Sequence, residues 1–375
     1  MKILWMSDSP TAFTGFGTVS REILSRLRAL GYDVAAIGWG YFGWPYDRAR
    51  FPYDIYPADS RLFGRDMAAR AIDEYQPDAV VALGDLWMLE WMTELQTQHP
   101  FKLVIYFPLD GTPFPRTASP LLHKADAAVA YSRFGQREAL AACPDVDVMM
   151  IYHGVDTDTF KPVASRPDYQ ASQGLGGKFV VGCVARNQPR KLYPVLVKAF
   201  KRFSERHDEA MLYLHTDPTD IGWDLVELAR SQGLAGKTAF SYQANILSGI
   251  DANGLNEIYN LMDVMVLPTT GEGFGLPILE AMAAGVPVLA TRCSACTELV
   301  EGRGELIEVK AFFPVGRQCM EHALPDENDL LEKLELLRAE PERRARHVRA
   351  GLEFAQQLRW ENLMPQWQEV FARLA

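Results

Sequence analysis

Leu267-Pro268-Thr269-Thr270-Gly271-Glu272-Gly273-Phe274-Gly275-Leu276-Pro277-Ile278-Leu279-Glu280-Ala281-Met282-Ala283-Ala284-Gly285-Val286-Pro287-Val288 is the stretch from which the fold can be read. An apolar run ends at Leu267, a glycine-rich turn follows, an apolar helix starts near Leu276, Gly285 stops it, and a second apolar run begins. Strand, turn, helix and strand in so short a span is a crossover unit, which joins parallel strands. The glycines let backbone approach a ligand closely, and the helix points its free amides at the turn, so an anion or a sugar hydroxyl is welcome there.

The same rhythm runs outward in both directions. Upstream in the second half, Phe179-Val180-Val181-Gly182-Cys183-Val184 reads as a buried strand, followed by a helix with Leu192, Val195, Leu196, Ala199, Phe200 and Phe203 at helical spacing. Pro194 falls in its first turn, where proline is tolerated. Further strands are expected near 210 to 215, 237 to 241, 263 to 267 and 286 to 290. In the first half, strands are expected near 2 to 6, 33 to 38, 78 to 83, 102 to 107, 126 to 131 and 147 to 151. A helix over 18 to 30 carries Val19, Ile23, Leu24, Leu27 and Leu30 on one stripe before Gly31 ends it. The fold class is therefore α/β: two doubly wound, Rossmann-like domains, each a parallel sheet with helices on both faces.

Between the halves, Asp156 to Pro167 is polar and twice broken by proline, as a connection is. The expected domains are 1–160 and 168–358. A helix over 360–375 docks back on the first domain with Leu363, Trp367, Val370, Phe371 and Leu374 on one face. Ligands of such sheets bind beyond the carboxyl ends of the strands, which makes a cleft between the domains the default site.

Composition narrows the function classes. The chain has 375 residues, 48% hydrophobic and 23% charged, which excludes a disordered or fibrous chain. Lys and Arg number 38 against 48 Asp and Glu, a formal charge of −10, which argues against nucleic acid as partner. The cluster Arg343, Arg344, Arg346 and Arg349 is interrupted by Glu340, Glu342 and Glu353 and reads as a solvated helix face. The amino-terminal run is a strand rather than a signal peptide, and no apolar stretch approaches a membrane span, so a cytoplasmic protein is expected. Five scattered cysteines suit a reducing compartment; Cys293 and Cys296 have CxxC spacing, but a second pair or histidine that would complete a zinc site is missing, and no metal is expected.

Two constellations carry chemistry. Glu272 lies in the glycine turn and Glu280 eight residues on, inside the helix. Carboxylates accept hydrogen bonds from paired hydroxyls, so the vicinal diols of sugar and ribose suit them; equally, Glu280 reads as a solvated helix residue and Glu272 as a favourable charge at a helix N-terminus. Arg186 and Lys191 follow the strand that opens the second half, where a doubly wound sheet receives phosphate, and two fixed cations can neutralise a diphosphate without a metal. The alternative is a solvated basic turn.

Gly271-Glu272-Gly273-Phe274-Gly275-Leu276-Pro277 through Glu280 resembles the Glu-x7-Glu signature of family 4 retaining glycosyltransferases of the GT-B fold. Arg186 and Lys191 resemble that family's pyrophosphate pair, and His153-Gly154-Val155-Asp156 with Phe160 and Pro162 its interdomain motif. The resemblance implies transfer of a hexose from a UDP- or GDP-linked sugar to an acceptor hydroxyl with retention and without metal or other cofactor. It implies that Glu272 holds donor-sugar hydroxyls, that the backbone of Gly273, Phe274, Gly275 and Leu276 lines sugar and phosphate, that Glu280 holds the ribose diol, and that Arg186 and Lys191 stabilise the departing diphosphate. Ser9 to Gly17, with Gly15 and Gly17, resembles the family's first-domain glycine loop near the donor phosphates. Where family members often carry a histidine, this chain has Asp110 in Tyr106-Phe107-Pro108-Leu109-Asp110-Gly111-Thr112-Pro113, placed to touch the reacting sugar or activate the acceptor, or to open a proline-rich turn.

The implied partners are a nucleotide sugar and an acceptor that is a carbohydrate, lipid-linked or a small molecule. Eight aromatics between Trp39 and Tyr56 suit stacking on a saccharide, a packed cluster, or peripheral membrane contact. Two other functions fit the same fold: a nucleotide-sugar epimerase, for which no proton-transfer constellation stands out, and a donor-binding protein without turnover.

Overall fold

The expected apolar runs form two separate parallel sheets in the computed structural model, which describes residues 1–241 and 249–374. The chain divides into two units, Met1–His153 with Trp360–Ala375, and Gly154–Arg359. Ala375, the last residue of the expected docking helix, lies outside the described residues.

In the first unit, β1 (Lys2–Asp8), β2 (Asp33–Trp39), β3 (Ile55–Ala58), β4 (Ala79–Leu83), β5 (Lys102–Phe107), β6 (Ala127–Ala130) and β7 (Val148–Met150) line up in the order β3-β2-β1-β4-β5-β6-β7. Every pairing is parallel, and the central strands are buried along nearly their whole length, as a sheet covered on both faces requires. The first helix, Gly15–Ala29, begins three residues before the sequence expectation because Thr14 caps it, its Oγ1 accepting from Gly17 N at 3.0 Å. The sequence reading missed β3, which overlaps the end of the aromatic stretch. It is an edge strand, and that position tolerates Pro57.

The carboxy-terminal helix Trp360–Leu374 belongs to this unit. Its Trp367 ring centroid lies 5.7 Å from that of Trp5 and 4.9 Å from that of Tyr106, and Phe371 lies 5.3 Å from Tyr32. His153 closes the unit: its Nδ1 meets the Tyr106 hydroxyl at 2.8 Å, and full burial pushes the imidazole down to about 3, so it is neutral at ordinary pH.

In the second unit, β8 (Phe179–Val184), β9 (Ala210–His215), β10 (Thr238–Phe240), β11 (Val264–Leu267), β12 (Val288–Thr291) and β13 (Glu305–Ile307) take the order β10-β9-β8-β11-β12-β13, again with parallel pairings. A hairpin of β14 (Val309–Val315) and β15 (Met320–Pro325) follows, unanticipated because β14 is largely exposed and carries Pro314. The stretch read as a connection is packed on this unit: Phe160 meets Tyr259 edge to face at 6.1 Å, Asp158 pairs with Arg359 at 2.7 Å, and Val163 N donates to Asn260 Oδ1 at 3.0 Å. No helix among the described residues is long and apolar enough to cross a membrane.

Candidate functional site

Strand succession in the second sheet reverses between β8 and β11. Ligands of doubly wound sheets bind in the crevice outside the carboxyl ends of the strands at such a switch point. The loop after β8 carries Arg186, Arg190 and Lys191; the loop after β11 carries Thr269 to Gly275. Topology therefore makes neighbours of two segments far apart in sequence.

Buried polar bonds hold the first loop. Asn187 is fully buried, donates to Pro218 O and Trp223 O at 3.2 and 2.6 Å, and accepts from Trp223 N at 3.1 Å. Tyr193 Oη donates to Ala185 O at 2.6 Å. Lys191 ends a single 3-10 turn, and Leu192 stands in left-handed backbone at φ 44° before the helix Tyr193–Ser204 begins. The two loops are then stitched together: Thr270 N donates to Arg190 O at 2.8 Å, and Arg190 Nη1 donates to Gly271 O at 2.8 Å. A third segment closes the set, with Ser294 Oγ accepting from Glu272 N at 2.8 Å.

Glu272 sits at the centre, 4% exposed. Both of its cation contacts fall on Oε1, Lys191 Nζ at 2.5 Å and Arg190 Nη1 at 2.9 Å. Burial pushes the carboxyl up, but the Arg190 and Lys191 charges outweigh it and hold the group down at about 2. Lys191 is itself buried, and burial together with the Arg190 charge lowers its ammonium from the ordinary lysine value. A carboxylate and two cations within 3 Å give this floor of the crevice a net positive charge, suited to an anion.

The helix after the turn is Leu276–Ala283, entered through Gly275 at φ 102°, a left-handed conformation that favours glycine, with Pro277 in the first turn. Glu280 lies inside this helix, 9% exposed, and its Oε2 accepts from Tyr259 Oη at 2.7 Å. It is not the solvated helix residue that the alternative reading supposed. Phe274 is 3% exposed, and Gly273 is half-buried.

The structure thus brings Glu272 and Lys191 together, and places Arg186 differently. Arg186 is held by Asp220 in a two-pronged pair, Nε to Oδ2 at 2.6 Å and Nη2 to Oδ1 at 3.2 Å, and its side chain is 42% exposed. Lys191 is a buried ion-pair partner and not part of the solvated basic turn that the alternative reading supposed. In the first unit, Gly15 opens the first helix and is exposed, whereas Gly17 is buried where an added Cβ would stand 2.6 Å from Ala12 O and 2.8 Å from Ser9 O. Asp110 is half-buried in the loop after β5.

Sequence reasoning missed Arg190, Ser294 and Tyr259. Arg190 stands beside Lys191 and could have been included; Ser294 and Tyr259 carry no local signal, because a serine after a strand and a tyrosine on a helix stripe are ordinary. Around the aromatic stretch, Tyr41, Phe51 and Tyr53 are buried, with Tyr41 and Trp44 edge to face at 5.4 Å, while Phe42 and Trp44 are 67% and 41% exposed. Half of the eight aromatics, Trp39, Tyr41, Phe51 and Tyr53, are therefore buried in packing. Cys293 and Cys296 are buried free thiols.

Residues 178–314 match the family of glycosyl transferases group 1. The match covers less than half of the chain and is a likeness of this segment to that family. The matched segment contains Arg186, Arg190, Lys191, Glu272, Glu280 and Ser294. Among curated proteins, the chain is similar to a D-inositol 3-phosphate glycosyltransferase of Corynebacterium jeikeium, 32% identical over 41% of this chain and 38% of that protein. It is also similar to the lipopolysaccharide core biosynthesis mannosyltransferase LpsB of Rhizobium meliloti, 32% identical over 49% of this chain and 50% of that protein. A GDP-mannose-dependent alpha-(1-6)-phosphatidylinositol monomannoside mannosyltransferase of Mycobacterium tuberculosis is 33% identical over 46% of this chain and 44% of that protein. The chain spans about half the length, or less, of these relatives. The fold matches sucrose-phosphate synthase from Thermosynechococcus elongatus with a TM-score of 0.80 at 20% identity, over 100% of this chain and 99% of that one. Anabaena HepE in complex with UDP and glucose matches with a TM-score of 0.75 at 19% identity, over 99% of each chain. The two parallel-sheet units are those of the GT-B fold.

Proposed function

We propose that the protein is a metal-independent retaining glycosyltransferase that moves a hexose from a UDP- or GDP-linked sugar to an acceptor hydroxyl. The observation that carries this reading is the buried Lys191–Glu272–Arg190 cluster at the mouth of a glycine turn and a helix N-terminus. A carboxylate fixed in its ionised form accepts sugar hydroxyls, and neighbouring cations and helix amides stabilise the charge that grows on a departing diphosphate. In this reading Glu272 binds donor-sugar hydroxyls, the backbone of Gly273 to Leu276 lines sugar and phosphate, and Glu280, steadied by Tyr259, binds the ribose diol. Lys191, Arg190 and Arg186 face the diphosphate, so that no divalent ion is needed. Gly15, Gly17 and Asp110 keep the donor-phosphate and reacting-sugar roles that the family resemblance implies. Relatives named for mannosyl transfer from GDP-mannose and for inositol phosphate acceptors support a nucleotide-sugar donor and a carbohydrate, lipid-linked or small-molecule acceptor.

The test is a calorimetric titration with UDP-glucose and GDP-mannose in EDTA, followed by assay of donor hydrolysis and by NMR of the anomeric proton of any product. Binding and turnover in EDTA with retained configuration support the proposal. Absence of binding to every UDP, GDP, ADP and TDP sugar, or turnover that requires a divalent ion, overturns it.

A further inference from the structure

Two non-glycine residues of the second unit's site stand in left-handed backbone, and each adjoins one member of the Lys191–Glu272 pair. Leu192, at φ 44°, follows Lys191 directly. Ser294, at φ 39°, opens the helix Ser294–Val300 and gives its Oγ to Glu272 N. Side chains disfavour this conformation, which persists only where its surroundings over-determine it, and such residues concentrate at functional sites.

Ser294 adds a particular feature. Its hydroxyl accepts the backbone N–H of the very residue whose carboxylate holds both cations, at 2.8 Å, and Ala295 N returns a bond to Glu272 O at 3.4 Å. Glu272 is thereby clamped at both its amide and its carbonyl by the segment that carries Ser294. Glycine would relax the backbone at φ 39° but could not offer the hydroxyl.

We propose that Ser294 is a positioning residue for donor-sugar recognition: it accepts backbone strain in order to hold the main chain of Glu272, and through it the Glu272 carboxylate, in the orientation that receives sugar hydroxyls. This rests on the proposed assignment of Glu272 to the donor sugar. Ser294 touches no reacting group itself. Its contribution belongs to the sugar half of the donor and not to the nucleotide half.

The test uses the full chain with Ser294→Ala and Ser294→Gly. Alanine keeps the strain and loses the bond; glycine loses both. Removing the acceptor of a buried N–H lowers Tm by about 3 °C or more for a unit of this size, so Ser294→Ala is expected to melt lower, while Ser294→Gly recovers most of that loss. Affinities are measured by calorimetry for UDP, GDP, UDP-glucose and GDP-mannose. In both variants the nucleoside diphosphates are expected to bind within twofold of wild type, while the cognate nucleotide sugar binds about tenfold more weakly, whatever the Tm. If Ser294→Gly restores sugar-dependent affinity along with Tm, or if UDP or GDP affinity falls in parallel with that of the nucleotide sugar, the positioning role is wrong although the transferase reading survives. If wild type binds none of the four, both fall together.

Discussion

Replacing Glu272 by Gln removes one negative charge and almost no volume, so its effect isolates the electrostatics of the cluster. Lys191 Nζ at 2.5 Å and Arg190 Nη1 at 2.9 Å both lean on Oε1, and Lys191 is 6% exposed. Once Gln is in place, Arg190, whose side chain is 36% exposed, turns to water; Lys191 has no such exit. Breaking a buried pair by removing one partner typically costs about 3 to 5 kcal/mol. Linkage reaches a similar figure independently: a carboxyl lowered from 4.5 to about 2 contributes, at roughly 1.4 kcal/mol per unit, about 3 kcal/mol at neutral pH. For a unit of roughly 200 residues, 3 kcal/mol lowers Tm by about 10 °C.

The sign of the pH dependence follows from the same shift. Because the folded value lies below the unfolded one, the contribution is fully present above pH 4.5 and is lost as pH falls from 4.5 toward about 2. Urea melts of wild type and Glu272→Gln should therefore differ most at neutral pH and converge below pH 3. A Lys191→Met variant completes the cycle, and the double variant should be more stable than the sum of the single losses by more than 1 kcal/mol, since the stranded charge is gone. A Tm for Glu272→Gln within 1 °C of wild type at pH 7, a gap that stays constant on acidification, or strict additivity in the cycle would refute the reasoning.

Three further outcomes are expected. His153→Gln should flatten the acid limb of the first unit: the imidazole lies at about 3 in the fold against 6.5 free, so the stability it lends above pH 6.5 falls by about 2 kcal/mol between pH 6.5 and 5 in wild type only, as stability-versus-pH curves would show. Tyr259→Phe strips the donor from the Glu280 carboxylate and should cost about 1 to 3 kcal/mol in a urea melt, with weaker binding of ribonucleoside diphosphates by calorimetry if Glu280 holds the ribose. Gly17→Ala, although favourable for helix formation, drives a methyl to 2.6 Å from Ala12 O and should destabilise the first unit by about 2 kcal/mol in a thermal melt, with no effect if that loop can move aside.

Apolar runs alternating with helical stripes revealed most strands of both sheets, because a parallel strand covered on both faces is a continuous apolar run and its helix a stripe. β3, the three-residue β13 and the β14–β15 hairpin escaped, β3 and β14 for plain physical reasons. An edge strand of four residues with Pro57 lacks the apolar length of a central strand, and Val309–Val315 is largely exposed, so no burial pattern was written into it. Capping also moved a boundary: the helix predicted from residue 18 starts at Gly15 because a threonine side chain, and not an apolar stripe, decides where the first turn forms.

The site was legible in residue type and less so in pairing, and the difference lies in what each kind of reading can reach. Glu272, Lys191 and Glu280 stand out because a carboxylate beside three glycines and a basic loop after a buried strand are local signals. The partnership of Lys191 with Glu272 spans 81 residues and exists only because β8 and β11 are neighbours across the point where strand order reverses. Alternation yields strands but not their order, so it cannot say which of the loops meet. The same limit hides the partner of Arg186: its spacing from Lys191 can be read in the sequence, but its pairing with Asp220, and that of Arg190 with Glu272, cannot. Two cations adjacent in sequence serve one carboxylate here because the 3-10 turn at Pro189–Lys191 and the left-handed Leu192 after it give the loop a curvature that a continuous helix, with its fixed angular step per residue, would not have.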